Sequence, residues 1–301
     1  RTQITFHSEP VRSPSFAPGA TDAIVFTSDS GGNEQYQLFR QDLRTGERLR
    51  LTNGKSRNES YVWSWQGDRI AFSSNARNGR DIDIWISYGK TPGSAKLLLE
   101  RTGHWVPLEF SRDGKQLLLL EYISINDSRI HLADLGTKTV RRISPEAPVA
   151  AYRGATLHPS GKRLWLASDR EGEFNELYEV DLSKPEPTFK PLTRHIKWNI
   201  EELALSPDGK TLALAVNEDG LSVLRLMDTT TRKDRVVAGV PKGVIRGLGF
   251  ARKANVLGFS FSSATTPGDA FTYDLGKGKL ERWTESEIGG LPRVADVEAA
   301  D

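Results

Sequence analysis

Cysteine is absent from this chain. Without a thiol there is no disulfide, no thiolate zinc site and no cysteine nucleophile, while the choice between cytoplasm and periplasm stays open. Long apolar runs are missing too. No stretch approaches the roughly eighteen residues that a spanning helix needs, and no signal-peptide pattern is found, so no membrane contact is expected. An excess of one charge is also lacking. Lys and Arg total 41 against 39 Asp and Glu, the net charge is +2, and the basic residues are scattered. That leaves no electrostatic footprint for nucleic acid. Helical periodicity is the last absence: no window holds a 3.6-residue period for long.

What is present is repetition. "WSWQGDRIAF" (63–72), "FSRDGKQLLL" (110–119), "LHPSGKRLWL" (157–166) and "LSPDGKTLAL" (205–214) place a turn between two apolar runs. "FAPGATDAIVF" (16–26) is a looser copy, and "FARKANVLGF" (250–259) keeps the flanks but loses the glycine. The turn glycines Gly67, Gly114, Gly161 and Gly209 recur every 47 or 48 residues, a period that marks a repeat architecture. Each repeat continues through a polar loop to a third strand, such as "YQLFRQDL" (36–43) or "ELYEVDL" (176–182). A tight turn then leads to a fourth strand, such as "ERLRLT" (47–52) or "FKPLT" (189–193). Apolar and polar residues alternate with period two. The prediction is an all-β fold, a β-propeller of six complete four-stranded blades whose faces are buried only against their neighbours. The repeats fall at approximately 7–53, 54–100, 101–147, 148–194, 195–240 and 241–288 within a single domain, 1–301. "RTQITF" (1–6) reads as an orphan fourth strand that either closes the ring or remains from a partial seventh blade.

The blade consensus resembles two groups: the TolB-like propellers and the N-terminal propeller of the prolyl oligopeptidase family of serine peptidases. The stretches "SDSGGNEQYQLF" and "LTNGKSRNESYVWSWQGDRIAFSSNARNGRDIDIWI" are similar to the second, in which Gly-Gly-Asn-Glu and Ser-Asn-x-Arg-Asn-Gly loops recur. That resemblance implies an α/β-hydrolase domain in cis, carrying a Gly-x-Ser-x-Gly elbow with downstream Asp and His. No Gly-x-Ser-x-Gly occurs here, and the family would enter its hydrolase domain near "LPRVADVEAAD". No catalytic residue is carried over, so this chain alone is expected to be inert.

The candidate site comes from aligning the first strands of the repeats. One register is apolar and is expected to be core: Phe16, Trp63, Phe110, Leu157, Leu205 and Phe250. Two registers with the opposite parity are small or polar. They run Ser15, Val62, Glu109, Thr156, Ala204, Gly249 and Ser13, Ser60, Pro107, Gly154, Glu202, Gly247, as expected of a wet channel wall. Glu109 and Glu202 are the only acids in them, too few to hold a hard cation, so neither a metal nor a cofactor is expected. At the strand tops lie Arg12, Glu59, Val106, Arg153, Glu201 and Arg246, a charged collar with signs that mostly alternate. Such a collar either forms rim ion pairs or receives a peptide terminus, since Arg holds a carboxylate bidentately. The preceding loops carry His104, Trp105, Tyr152, His195 and Trp198, and the aromatics among them are candidates for a contact surface. The reading that follows is a propeller that gates and selects peptide substrates for a serine peptidase. The alternative is a TolB-like scaffold that binds protein partners and has no enzymology.

Overall fold

A computed structural model describes residues 3–19 and 22–287. The chain divides between Ala151 and Tyr152 into two compact units.

The first unit holds three blades. They are β1 (Arg12–Phe16), β2 (Ala23–Ser28), β3 (Gln37–Asp42), β4 (Arg48–Arg50); β5 (Asn58–Trp63), β6 (Arg69–Ser74), β7 (Asp83–Tyr88), β8 (Lys96–Leu99); and β9 (His104–Phe110), β10 (Gln116–Ser124), β11 (Asp127–Asp134), β12 (Val140–Arg142). The second unit holds β13 (Tyr152–Leu157), β14 (Arg163–Ser168), β15 (Glu176–Asp181), β16 (Thr188–Pro191); β17 (Asn199–Leu205), β18 (Thr211–Glu218), β19 (Leu221–Asp228), β20 (Asp234–Val236); and β21 (Val244–Phe250), β22 (Val256–Ser263), β23 (Thr266–Asp274), β24 (Lys279–Arg282). Every blade is a four-stranded antiparallel sheet in chain order. The six-bladed, all-β β-propeller predicted from the repeat is the fold.

The repeated motifs do local work. In the first hairpin, Ser64, Ser111 and Ser206 donate their hydroxyls to Asp68, Asp113 and Asp208. The turn glycines sit at φ +73 (Gly67), +70 (Gly114), +68 (Gly161) and +75 (Gly209), where a Cβ is strained. At the second tight turn, the Oδ1 of Asp42, Asp134, Asp228 and Asp274 each accepts two backbone N–H groups. Those bonds hold these carboxyls below their ordinary range. The recurrent threonine at the end of the fourth strand replaces a ladder bond. Thr52, Thr193 and Thr284 accept the N–H of Leu38, Leu177 and Ala270.

The core lies between blades. Val25, Leu38 and Leu51 of the first blade pack on Ile70 and Phe72 of the second, while Ala71 faces Phe110, Leu117 and Leu119 of the third. In the second unit, Leu212, Leu214 and Val216 face Trp165 and Leu177, while Ala213 and Ala215 face Leu257, Phe259 and Phe261. Alternate residues of one strand thus serve opposite neighbours. Each large side chain buried this way contributes about 1.5–3 kcal/mol.

Two expectations need correcting. Residues 3–6 form no strand; the Ile4 carbonyl instead accepts the side-chain amide of Gln41 at 2.7 Å. The remainder of that segment, residues 1–2, lies outside the described residues. The apolar register is not uniformly core: Phe110 and Leu157 are buried and Trp63, Leu205 and Phe250 half-buried, but Phe16 is 57% exposed. The space between the first two blades is filled by the residues named above, together with Tyr61 and Trp63, and Phe16 has no place in it.

Candidate functional site at the entry ends of the first strands

The first strand of every blade carries a bulge. Register shifts fall between Arg12 and Ser15, Glu59 and Tyr61, Arg153 and Ala155, Ile200 and Glu202, and Arg246 and Gly249. In β9 the shift lies opposite Leu118/Leu119. A bulge adds one unpaired residue and re-aims the side chains beyond it, so strict alternation fails there. Ser13, Ser60, Gly154 and Gly247 occupy it at positive φ (48, 22, 43 and 69).

This shift corrects the collar in the fifth blade. Arg12, Glu59, Val106, Arg153 and Arg246 pair with Thr27, Ser73, Leu120, Ala167 and Ser260 at equivalent rungs. The equivalent residue of the fifth blade is Glu202, opposite Ala215, and Glu201 is the bulge residue itself. The first-strand alignment placed Glu201 there because it could not register the extra residue.

The charged residues have distinct surroundings. Glu201 accepts Arg246 Nη1 at 2.9 Å and Asn217 Nδ2 at 2.9 Å. Glu202 accepts the Leu248 backbone N–H of the next blade at 2.9 Å. Glu59 lies 2.5 Å from Arg57 Nε and 3.2 Å from His104 Nε2. The bond from His104 and the charge of Arg57 hold the Glu59 carboxyl below its ordinary value against some desolvation. Glu109 is half-buried opposite Leu118. Arg153 is exposed and has no ion-pair partner among the described residues.

The aromatic surface is smaller than the sequence implied. Trp105 is buried against Phe110 and Leu117, and its ring lies 4.6 Å from that of His131. Its indole N–H is satisfied by the Thr102 carbonyl at 3.0 Å. It is therefore a core residue, drawn in because the pleat turns it toward the second blade. Tyr152 is buried as well, whereas Trp198 is 40% exposed beside Phe174. His195 is tied to Asp234 at 3.0 Å. No group of three or more His, Asp or Glu side chains among the described residues is arranged to hold a metal ion.

Within the first unit a cleft of about 510 Å³ opens at the entry ends of β1 and β5. Arg12, Tyr36, Arg57, Glu59, Tyr61 and Trp63 line it, with Ser13 and Ser60 of the two bulges. The Tyr61 hydroxyl is within hydrogen-bond distance of the Val25 carbonyl (2.9 Å) and Ser15 Oγ (2.9 Å), and Trp63 Nε1 donates to Ser15 Oγ (3.1 Å). Burial pushes the Tyr61 phenol up to about 12. Tyr36, Arg57 and Tyr61 were not among the sequence candidates. One signal was available for Tyr61: it stands where the other repeats carry Pro14, Leu108, Ala155, Leu203 and Leu248.

No curated protein sequence matches the chain. Solved structures do. Prolyl oligopeptidase B from Galerina marginata, bound to a 25mer macrocyclization substrate, is 14% identical with a TM-score of 0.76, covering 95% of this chain and 44% of that one. A prolyl endopeptidase structure from a study of inter-domain dynamics is 17% identical with a TM-score of 0.64, covering 93% and 50%. TolB from Acinetobacter baumannii is 20% identical with a TM-score of 0.65, covering 89% and 65%. At these identities the likeness is one of fold. The chain spans about half the length of the prolyl oligopeptidase chains it matches. The model of the prolyl oligopeptidase N-terminal β-propeller domain matches residues 15–286, and the chain belongs to that family.

Proposed function

We propose that this propeller admits and selects peptide substrates for a prolyl-oligopeptidase-like serine peptidase. Membership of the N-terminal propeller family over residues 15–286 carries the reading. The matched peptidases are about twice as long as this chain, and the Gly-x-Ser-x-Gly elbow is absent from it. Peptide-bond hydrolysis through an acyl-enzyme would therefore use groups on an α/β-hydrolase domain joined in cis. The propeller would contribute a physical restriction on what reaches them, with the polar entry ends of the first strands meeting the peptide. The test is to express the gene's full reading frame and compare cleavage of short peptides with that of the same sequence inside a folded protein, with and without the propeller. Restriction to short peptides that relaxes when the propeller is removed is the expected result. A reading frame with no nucleophile elbow overturns it. That outcome would favour a TolB-like protein-binding scaffold, a reading supported by the 20% identity and 89% coverage of this chain against TolB.

A further inference from the structure

We propose that the cleft between the first two blades is a carboxylate subsite, in which Arg12 holds the free carboxylate of a peptide. The inference rests on the peptide-admitting role and adds the chemical group recognised.

Charge is the first argument. Both oxygens of Glu59 are engaged, one by Arg57 and the other by His104. Glu59, the only carboxylate among the described residues lining the cleft, is thus already balanced by the Arg57 charge and hydrogen-bonded to His104. Arg12 has no ion pair among the described residues; its guanidinium lies over the Tyr36 ring, 5.0 Å from the centroid. Stacking engages the face of the guanidinium and leaves its planar edge of N–H donors for a ligand. A fork of that shape matches a carboxylate bidentately. One uncommitted guanidinium balances one negative charge, which fits a carboxylate better than a phosphate dianion.

The walls are the second argument. Tyr61 and Trp63 spend their polar atoms on Ser15 and backbone carbonyls, so they present ring surface to the cleft. Tyr61 stays neutral at any physiological pH and adds no competing charge. Ring surface beside a cation suits the side chain next to a carboxylate.

Strain is the third. Ser13 and Ser60 hold left-handed φ values that glycine takes without cost, and the fourth and sixth blades do place Gly154 and Gly247 there. Strained non-glycine residues gather at functional sites. Both serines line this cleft and give it two hydroxyls that glycine would not.

The test is calorimetric titration of the full chain at low salt with three N-acetylated alanine tetrapeptides. One has a free C-terminal carboxylate, one a C-terminal amide, and one the amide with a central Glu. The free acid should bind at least tenfold tighter than the plain amide, and the difference should shrink as salt rises. Arg12→Gln should abolish the difference between acid and amide, and Arg12→Lys should restore part of it. Because Arg12 is exposed and unpaired, matched melting curves are expected for all variants. Tight binding of the Glu-containing amide, lost in Arg12→Gln, assigns the site to acidic side chains as well as C-termini. Equal affinities of acid and amide, or a difference that survives Arg12→Gln, overturn the subsite and leave the peptide-admitting role standing. Binding by none of the three peptides overturns both.

Discussion

Gly67 and Gly46 make a matched pair that isolates the contact between neighbouring blades. Both sit in tight turns at nearly the same angle, φ +73 and +75. A Cβ on Gly46 would meet nothing within 4 Å, whereas a Cβ on Gly67 would stand 2.6 Å from the Pro18 carbonyl oxygen of the preceding blade. Gly46→Ala therefore bears only the left-handed strain of an L-residue, about 1–2 kcal/mol. Gly67→Ala bears the same strain and must also move a backbone oxygen by roughly 0.7 Å to reach an ordinary carbon–oxygen separation. Backbone shifts of that kind in packed regions cost about 1–3 kcal/mol. Gly67→Ala should therefore be the more destabilising by about 1–3 kcal/mol. In thermal melts that is roughly 2–4 °C per kcal/mol for domains near this size. Calorimetry or circular dichroism on wild type and both variants reads the difference directly. Equal losses in Tm would show that turn conformation alone explains the glycine, and that the packing of blade 2's turn on blade 1 contributes nothing.

Three further outcomes are expected. Glu59 has a depressed carboxyl pKa, so its contribution is present above the unfolded value of 4.5 and is lost as pH falls through the lower folded value. Glu59→Gln should flatten the acid limb of a stability–pH curve below pH 4.5, and an unchanged limb would contradict the assignment. Trp105→Ala should cost about 3–5 kcal/mol in urea melts because it empties a core position, while Trp198→Ala at an exposed site should stay within about 0.5 kcal/mol; the reverse order would refute burial as the cause of the difference. Arg246→Gln breaks one exposed pair with Glu201 and should cost no more than about 1 kcal/mol, and Arg153→Gln should cost nothing measurable, as chemical denaturation would show.

The sequence by itself determined the repeat, the strands and the turns. Their signals are local: an apolar run of five or six residues, a glycine that must take positive φ, an aspartate that gathers two backbone N–H groups, a threonine that replaces a ladder bond. Because these recur at a fixed period, six weak signals reinforce one another, and strands such as Leu221–Asp228 fall where the pattern put them. The loop motifs around Gly31–Glu34 and Asn75–Gly79 likewise pointed to the family that the comparison over 15–286 establishes. Tertiary structure alone decided which side chains meet. A bulge adds a residue without any one residue type that announces it: Ser13, Ser60, Gly154 and Glu201 span a hydroxyl, a bare backbone and a carboxylate. The registers beyond it therefore slip invisibly, and Glu201 and Glu202 exchange places. Trp105 and Trp198 read alike in the loops, yet one is buried and the other exposed, because pleat direction and the neighbouring blade set burial. The cleft of Arg12, Tyr36 and Tyr61 joins residues from different strands and blades. Sequence spacing carries such a meeting only through long-range packing, and that is fixed when the blades close on one another's faces.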